Sequence, residues 1–524
     1  MTPADTPRGF VHAYETGSLN ALFQVPAGAL DQGLSRPAPD GVAALADALD
    51  AQARKRADRP AQLAAIERLR QPGARAVLTG QQPGLLLGPM LTLVKAMTAI
   101  KIAAAHDRQD RPVVPVFWVA SQDHDIREID HAYLLGMDEQ LTTVHFDWPD
   151  GQPSSLLAWQ SDWTGHIDQM LATLDAPEPH ASETRAWIHD ALNGATSVGD
   201  AFARLLSATL GDDGLVVADP TDPILAQRFV PTIKRALAGA LDDSRSINAA
   251  GAALKGLGFE PQLGRSEGAT NLFMVRPSGQ RELLRSDGRQ YWTEEQTAER
   301  YALEDLERAL DNDPNAITPA AGLRPVVQDA TFPTAVTVLG PGELRYVAQL
   351  RGVYERLGVP MPAMHARANL TLLEPPVVRI LGRYGLTASD FQRDPDGTAA
   401  RMALGADLQP FEAASAALER DITALLEAVR PIDPTLAGPV GKAEDALRRS
   451  LERLESKTAQ AKLKKDETVA RHVERLRAHL RPNGVPQERL LSPMSFFMKF
   501  GREATLRRLR AMAPAGEQAL PVDL

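Results

Sequence analysis

Apolar and polar positions follow two regimes along the chain, a strand-and-helix alternation first and a long helical periodicity later. Ala76-Val77-Leu78-Thr79 is a short apolar run that enters Gly80-Gln81-Gln82-Pro83-Gly84-Leu85-Leu86-Leu87-Gly88-Pro89, after which Leu93, Met97, Ile100 and Ala104 recur at helical spacing. The next run, Val113 through Ala120, is apolar without alternation, as a parallel strand covered by helices on both faces should be. The three segments predict a β-α-β unit. Leu215-Val216-Val217-Ala218, Leu272-Phe273-Met274-Val275 and Ala335-Val336-Thr337-Val338-Leu339 are candidates for extending the same sheet. The last enters Gly340-Pro341-Gly342-Glu343 and a helix striped by Tyr346, Leu350, Val353 and Leu357. The polar stretches at about 136–212 and 235–322 are too long for plain crossovers and are expected as mainly helical insertions.

Past Pro410 the composition shifts to Ala, Glu, Leu, Lys and Arg. Leu418, Ile422, Leu425 and Val429 mark one helix, and Leu447, Leu451, Leu454, Thr458 and Ala461 mark a second with the alternating spacing of a coiled coil. Val469, Val473, Leu476 and Leu480 are expected to continue it after a one-residue phase slip. The expected layout is an α/β core over 1–400 carrying the two insertions, a helical dimerisation region over 411–480, and a segment over 481–524 that returns to the core.

Composition narrows the function classes. The chain has 524 residues, 44% hydrophobic and 24% charged, so it is an ordinary globular protein with room for more than one domain. Its formal net charge of −10 argues against nucleic-acid or anionic-membrane binding. Residues 441–480 carry eleven Lys/Arg against seven Asp/Glu, but no aromatics interleave, so a solvated coiled-coil face explains them. There is no cysteine, which removes disulfides, Cys-ligated metals and a thioester mechanism. Residues 1–30 lack a basic segment followed by an apolar run, and no apolar stretch approaches the roughly 20 residues of a membrane span. A cytoplasmic protein is expected.

Candidate chemistry gathers behind the predicted strands, where open α/β sheets bind ligands. Directly after Val113 to Ala120 stand Asp123, His124 and Asp125, a set of proton-transfer groups that could instead cap the following turn. Metal ligation by this trio is a weak signal, and no metal site is expected. The loop from Thr79 through Gly80, Gln81 and Gln82 to Gly88 suits either anion binding by backbone N–H groups or a tight structural turn. It matches neither the Walker loop nor the dinucleotide fingerprint. Lys95, off the apolar stripe of the following helix, could reach a bound phosphate or carboxylate. Gly340, Gly342 and Glu343 form a second glycine turn, and Arg324, Arg345 and Arg367 border these loops as possible carboxylate clamps.

Several long runs carry a resemblance: TGQQPGLLLGP (79–89), PVFWVASQDHDIREIDH (115–131), LRPVVQD (323–329, with Gln328), GPGELRYVAQL (340–350) and PNGVPQERLLSPMSFFMKFG (482–501). In this order, across nearly the whole chain, they are similar to the bacillithiol biosynthesis cysteine-adding enzyme (BshC) family. The resemblance implies a Rossmann-like, nucleotidyltransferase-like core with two connecting insertions and a C-terminal coiled coil that dimerises. It also implies a ligase that adds L-cysteine to glucosaminyl malate to form the thiol bacillithiol. Gln122 stands where the family commonly has Glu, and residues 318–322 diverge from its usual form. Amide formation requires an activated carboxylate, so ATP with Mg²⁺ is expected from the chemistry, as acyl-adenylate or acyl-phosphate. Another adenylate-forming or nucleotidyl-transferring enzyme and a non-catalytic coiled-coil adaptor are the alternatives.

Overall fold

The computed structural model describes residues 6–522 apart from 57, 58 and 297. The chain divides into two compact units, one formed by 1–137, 142–370 and 491–518, the other by 138–141, 371–490 and 519–524.

The larger unit is built on β1 (Arg75–Gln81), β2 (Val113–Val119), β3 (Val216–Ala218), β4 (Ala269–Val275), β5 (Arg281–Ser286), β6 (Tyr291–Thr293), β7 (Ile317–Pro319), β8 (Thr334–Leu339) and β9 (Ala363–Ala366). Five of these form a parallel sheet in the order β9-β8-β1-β2-β3. Helix α1 (Leu91–His106) connects β1 to β2, which pair from Arg75 opposite Val113 to Gln81 opposite Val119. Every residue of β2 is buried, the reason its sequence shows no alternation. Helix α2 (Arg324–Thr331) precedes β8 and α3 (Pro341–Val347) follows it. The chain steps from β1 to β2 to β3 on one side and places β8 and β9 on the other. The strand order therefore reverses between β1 and β8, where sheets of this kind form their ligand crevice at the carboxyl ends of the strands.

The Leu272–Val275 run does not extend this sheet. It lies in β4, within a separate antiparallel sheet of order β6-β5-β4-β7 that shares the second insertion with its helices. Only residues 276–280 separate β4 from β5, enough for a hairpin and far too few for a parallel crossover.

The main stretch of the smaller unit starts at residue 371, earlier than the composition change at Pro410 suggests. Helices Pro375–Tyr384, Ala388–Arg393 and Pro395–Leu404 bury Val377, Ile380, Phe391 and Met402 against Val473, Leu476 and Leu480. The long helices are α4 (Gln409–Val429), α5 (Ala437–Leu463) and α6 (Glu467–Leu480). The expected continuation through Val469 is a break: the Asp466 carboxylate accepts the Thr468 and Val469 N–H groups and starts α6 as a new helix. On α5, Leu447 and Leu454 remain 51% and 56% exposed. Among the described residues no helix is long and apolar enough to cross a membrane.

Candidate functional site

At the reversal of strand order the ends of β1 and β8 turn polar, and α1 sends one lysine back toward them. Lys95 is 1% exposed. Its Nζ lies 2.6 Å from Glu343 Oε2 and donates to Gly80 O at 2.7 Å and Gln81 Oε1 at 2.9 Å. Three acceptors around one nitrogen use all three N–H bonds of an ammonium. Burial pushes Lys95 below its ordinary range against the pull of Glu343. Burial also opposes an ionised Glu343, but Lys95 and the Gly340 N–H, 2.8 Å from Oε2, hold its carboxylate below the usual range. Lys95 is thus occupied within the protein, where sequence had it reaching a ligand.

Arg324, at the start of α2, donates through Nη2 to the Tyr346 hydroxyl at 2.8 Å. That is its one side-chain hydrogen bond among the described residues, so most of the guanidinium fork remains available. Burial pushes the Tyr346 phenol up to about 12, keeping it neutral. Arg324, Gln328, Glu343, Tyr346, Thr79 and Gly80 share a cavity of about 20 Å³, room for one water. The Thr79 hydroxyl donates to Val338 O at 3.0 Å and ties β1 to β8. Buried Arg367 donates through Nη1 to Ala368 O. A Cβ on Gly340 would stand 3.3 Å from Glu343 Oε2 and 3.8 Å from Arg367 Nε, so this glycine leaves room for both groups. Gly342 faces open space. Arg345 departs from the group, with its guanidinium over the Phe10 ring at 5.1 Å.

The cluster behind β2 adjoins this crevice. Asp123 Oδ2 accepts from Gln82 Nε2 and Oδ1 from the His124 backbone N–H, both at 2.8 Å. Neighbouring residues at the end of β1 therefore serve two charges: Gln81 holds Lys95 and Gln82 holds Asp123. His124 is half-buried, and burial together with nearby Arg281 lowers its pKa while Asp123 and Asp125 oppose that shift. Asp125 is exposed, ahead of the short turn Ile126–Glu128.

Residues 84–88 of the glycine loop form a packed turn. The N–H groups of Gly84, Leu85 and Gly88 bond the carbonyls of Gln82, Ile129 and Leu85. Leu85, Leu86 and Leu87 are buried, Leu86 and Leu87 at φ of 52° and 70°. Gly80 is required by strand contact: a Cβ there would lie 2.7 Å from Trp118 O.

Two site residues escaped the sequence reading. Tyr346 belongs to the apolar stripe of its helix by spacing, yet it sits one turn after Glu343 on the same helical face. Arg281 comes from the insertion sheet: it donates through Nη1 to Gln122 O at 2.7 Å and lies over the Phe273 ring at 4.3 Å. Among the described residues no cluster of three or more His, Cys, Asp or Glu could hold a metal ion.

Two family models match the chain: the bacillithiol biosynthesis BshC N-terminal Rossmann-like domain over residues 23–368, and the BshC C-terminal coiled-coil domain over 370–518. A protein from Thermus thermophilus named "Putative cysteine ligase BshC" is 39% identical over 459 residues, covering 87% of this chain and 89% of the relative. One of the same name from Salinibacter ruber is 33% identical over 446 residues, covering 83% and 80%.

Proposed function

The chain belongs to the bacillithiol biosynthesis BshC family, and from that premise we propose that it joins L-cysteine to glucosaminyl malate by an amide bond, completing bacillithiol. The observation that carries the reading is the crevice itself. A cationic fork with open donors, Arg324, stands beside a proton-transfer pair, Asp123 and His124, at the one place where the parallel sheet reverses its strand order.

The chemistry follows from what these groups can do. Arg324 and, behind Gly340, Arg367 make this end of the sheet positive, which suits a dicarboxylate such as malate. The glucosamine nitrogen attacks the cysteine carboxyl carbon, so one carboxyl oxygen must leave and the nitrogen must lose a proton. Asp123, an acceptor fixed by Gln82 and the His124 N–H, takes that proton. A carboxylate oxygen leaves only when activated, and the chain has no cysteine to form a thioester. ATP with Mg²⁺ would supply that activation when bound, with the carboxyl oxygen leaving on the phosphate it had joined. The ion pair of Lys95 and Glu343 serves as the rigid floor of the crevice, locking the end of β1 to the start of α3.

The test is direct: purified protein with L-cysteine, glucosaminyl malate and ATP-Mg²⁺ should yield a product with the mass of bacillithiol, dependent on all three additions. No product from well-folded protein, alone or with an extract of its own cells, would overturn the ligase reading.

The family's coiled-coil unit also supports a homodimer, with α5 as the contact. Leu447 and Leu454 lie seven residues apart on its exposed face, the repeat of a coiled-coil seam. Placing Asp at both positions is expected to give monomers in sedimentation, because unpaired charges in a seam cost several kcal/mol, on the order of other unpaired burial. Wild-type protein sedimenting as a monomer at micromolar concentration would contradict the dimer.

A further inference from the structure

Arg281 is held on several sides by the antiparallel sheet. Its Nε donates to Thr318 Oγ1 at 3.0 Å, its Nη2 to Pro319 O at 3.1 Å, and its guanidinium lies over Phe273 of β4. The remaining nitrogen, Nη1, donates to Gln122 O at 2.7 Å and stands 3.4 Å from His124 Nδ1. The His124 ring meets the same Phe273 edge-on, with centroids 5.5 Å apart and planes at 68°. One phenylalanine thus seats both side chains, and neither has a wide choice of position.

We propose that Arg281 is a positioning residue for His124: it fixes the imidazole as the Nε2–H tautomer, with Nδ1 as acceptor toward Arg281 and Nε2–H as the donor offered to a substrate oxygen. A guanidinium has no lone pair to offer, so an imidazole nitrogen facing it must present its own. The competing partner for Nδ1, Asp123 Oδ1, is 3.9 Å away and already accepts the His124 backbone N–H. Nε2 has no hydrogen-bond partner among the described residues. The charged groups facing the ring are Arg281 from the insertion sheet and Asp123 and Asp125 from its own segment. Burial and Arg281 disfavour the imidazolium, the two carboxylates favour it, and the net direction is toward the neutral ring. His124 then acts as a hydrogen-bond donor to the oxygen that gains negative charge when nitrogen attacks the carboxyl carbon, while Asp123 receives the proton.

The catalytic part of this inference rests on the ligase reading; the tautomer does not. Nitrogen-15 NMR on histidine-labelled protein, with His124 assigned through His124→Gln, should show an unprotonated Nδ1 and a protonated Nε2 at neutral pH, with a titration below that of an ordinary histidine. In Arg281→Gln the titration should move up and the Nδ1–H form should appear, and Arg281→Lys, which keeps the charge without the fork, should fall between. A protonated Nδ1 in the wild-type neutral ring, or an unchanged tautomer and titration in folded Arg281→Gln, would overturn the proposal even if ligation proceeds. Absence of ligation by wild type with the tautomer as described would instead fault the ligase reading.

Discussion

Lys95→Met is expected to destabilise the protein by about 3–5 kcal/mol, the usual cost of removing one partner from a buried ion pair. The substitution keeps length and helix propensity, so the loss comes from what it leaves behind. Glu343 would lose its closest cation and keep the Gly340 N–H, with Arg324 at longer range, and the acceptors Gly80 O and Gln81 Oε1 would lose their donor. Urea unfolding measures the effect. Adding Glu343→Leu to Lys95→Met should recover much of the loss, because an apolar pair of similar volume leaves no charge unpaired. A single mutant as stable as wild type would show that Lys95 is not committed to Glu343.

His124→Ala is expected to act in the opposite way, with stability near wild type and turnover lower by about a hundred- to a thousandfold, the typical cost of losing one donor to a developing oxyanion. His124 is half-buried and makes no hydrogen bond through Nε2 among the described residues, so little packing depends on it. Single-turnover ligation with saturating substrates isolates the chemical step. His124→Gln, which keeps an N–H donor, should retain more activity than His124→Ala. Equal turnover in wild type and His124→Ala would remove His124 from the chemistry.

The β-α-β unit was legible because burial on both faces leaves a run such as Val113 to Ala120 with no polar interruption, and because a glycine turn separates it from its partner strand. The sheet that takes a short apolar run is not written in that run: Leu272–Val275 looks like Ala335–Leu339 but has its neighbour a hairpin away. The cluster at Asp123 to Asp125 could be found because strand ends hold ligands in such folds. Its supports could not. Lys95 meets Glu343 across most of the parallel sheet's sequence span, and a lysine inside a helix buried nearly all round gives no local sign of its partner. Arg281 occupies one position of a strand whose residues alternate between buried and half-buried, where an arginine ordinarily faces solvent. The break at Asp466 was readable in principle, since Asp before Glu-Thr-Val is a capping signal, but the apolar spacing on either side argued for continuity.

The most direct test of the central claim is the thiol profile of cells lacking this gene. The account predicts that bacillithiol is lost, that glucosaminyl malate accumulates, and that the wild-type gene restores the thiol while His124→Ala does not. Bacillithiol at normal levels in the deletion strain, without accumulation of glucosaminyl malate, would contradict it.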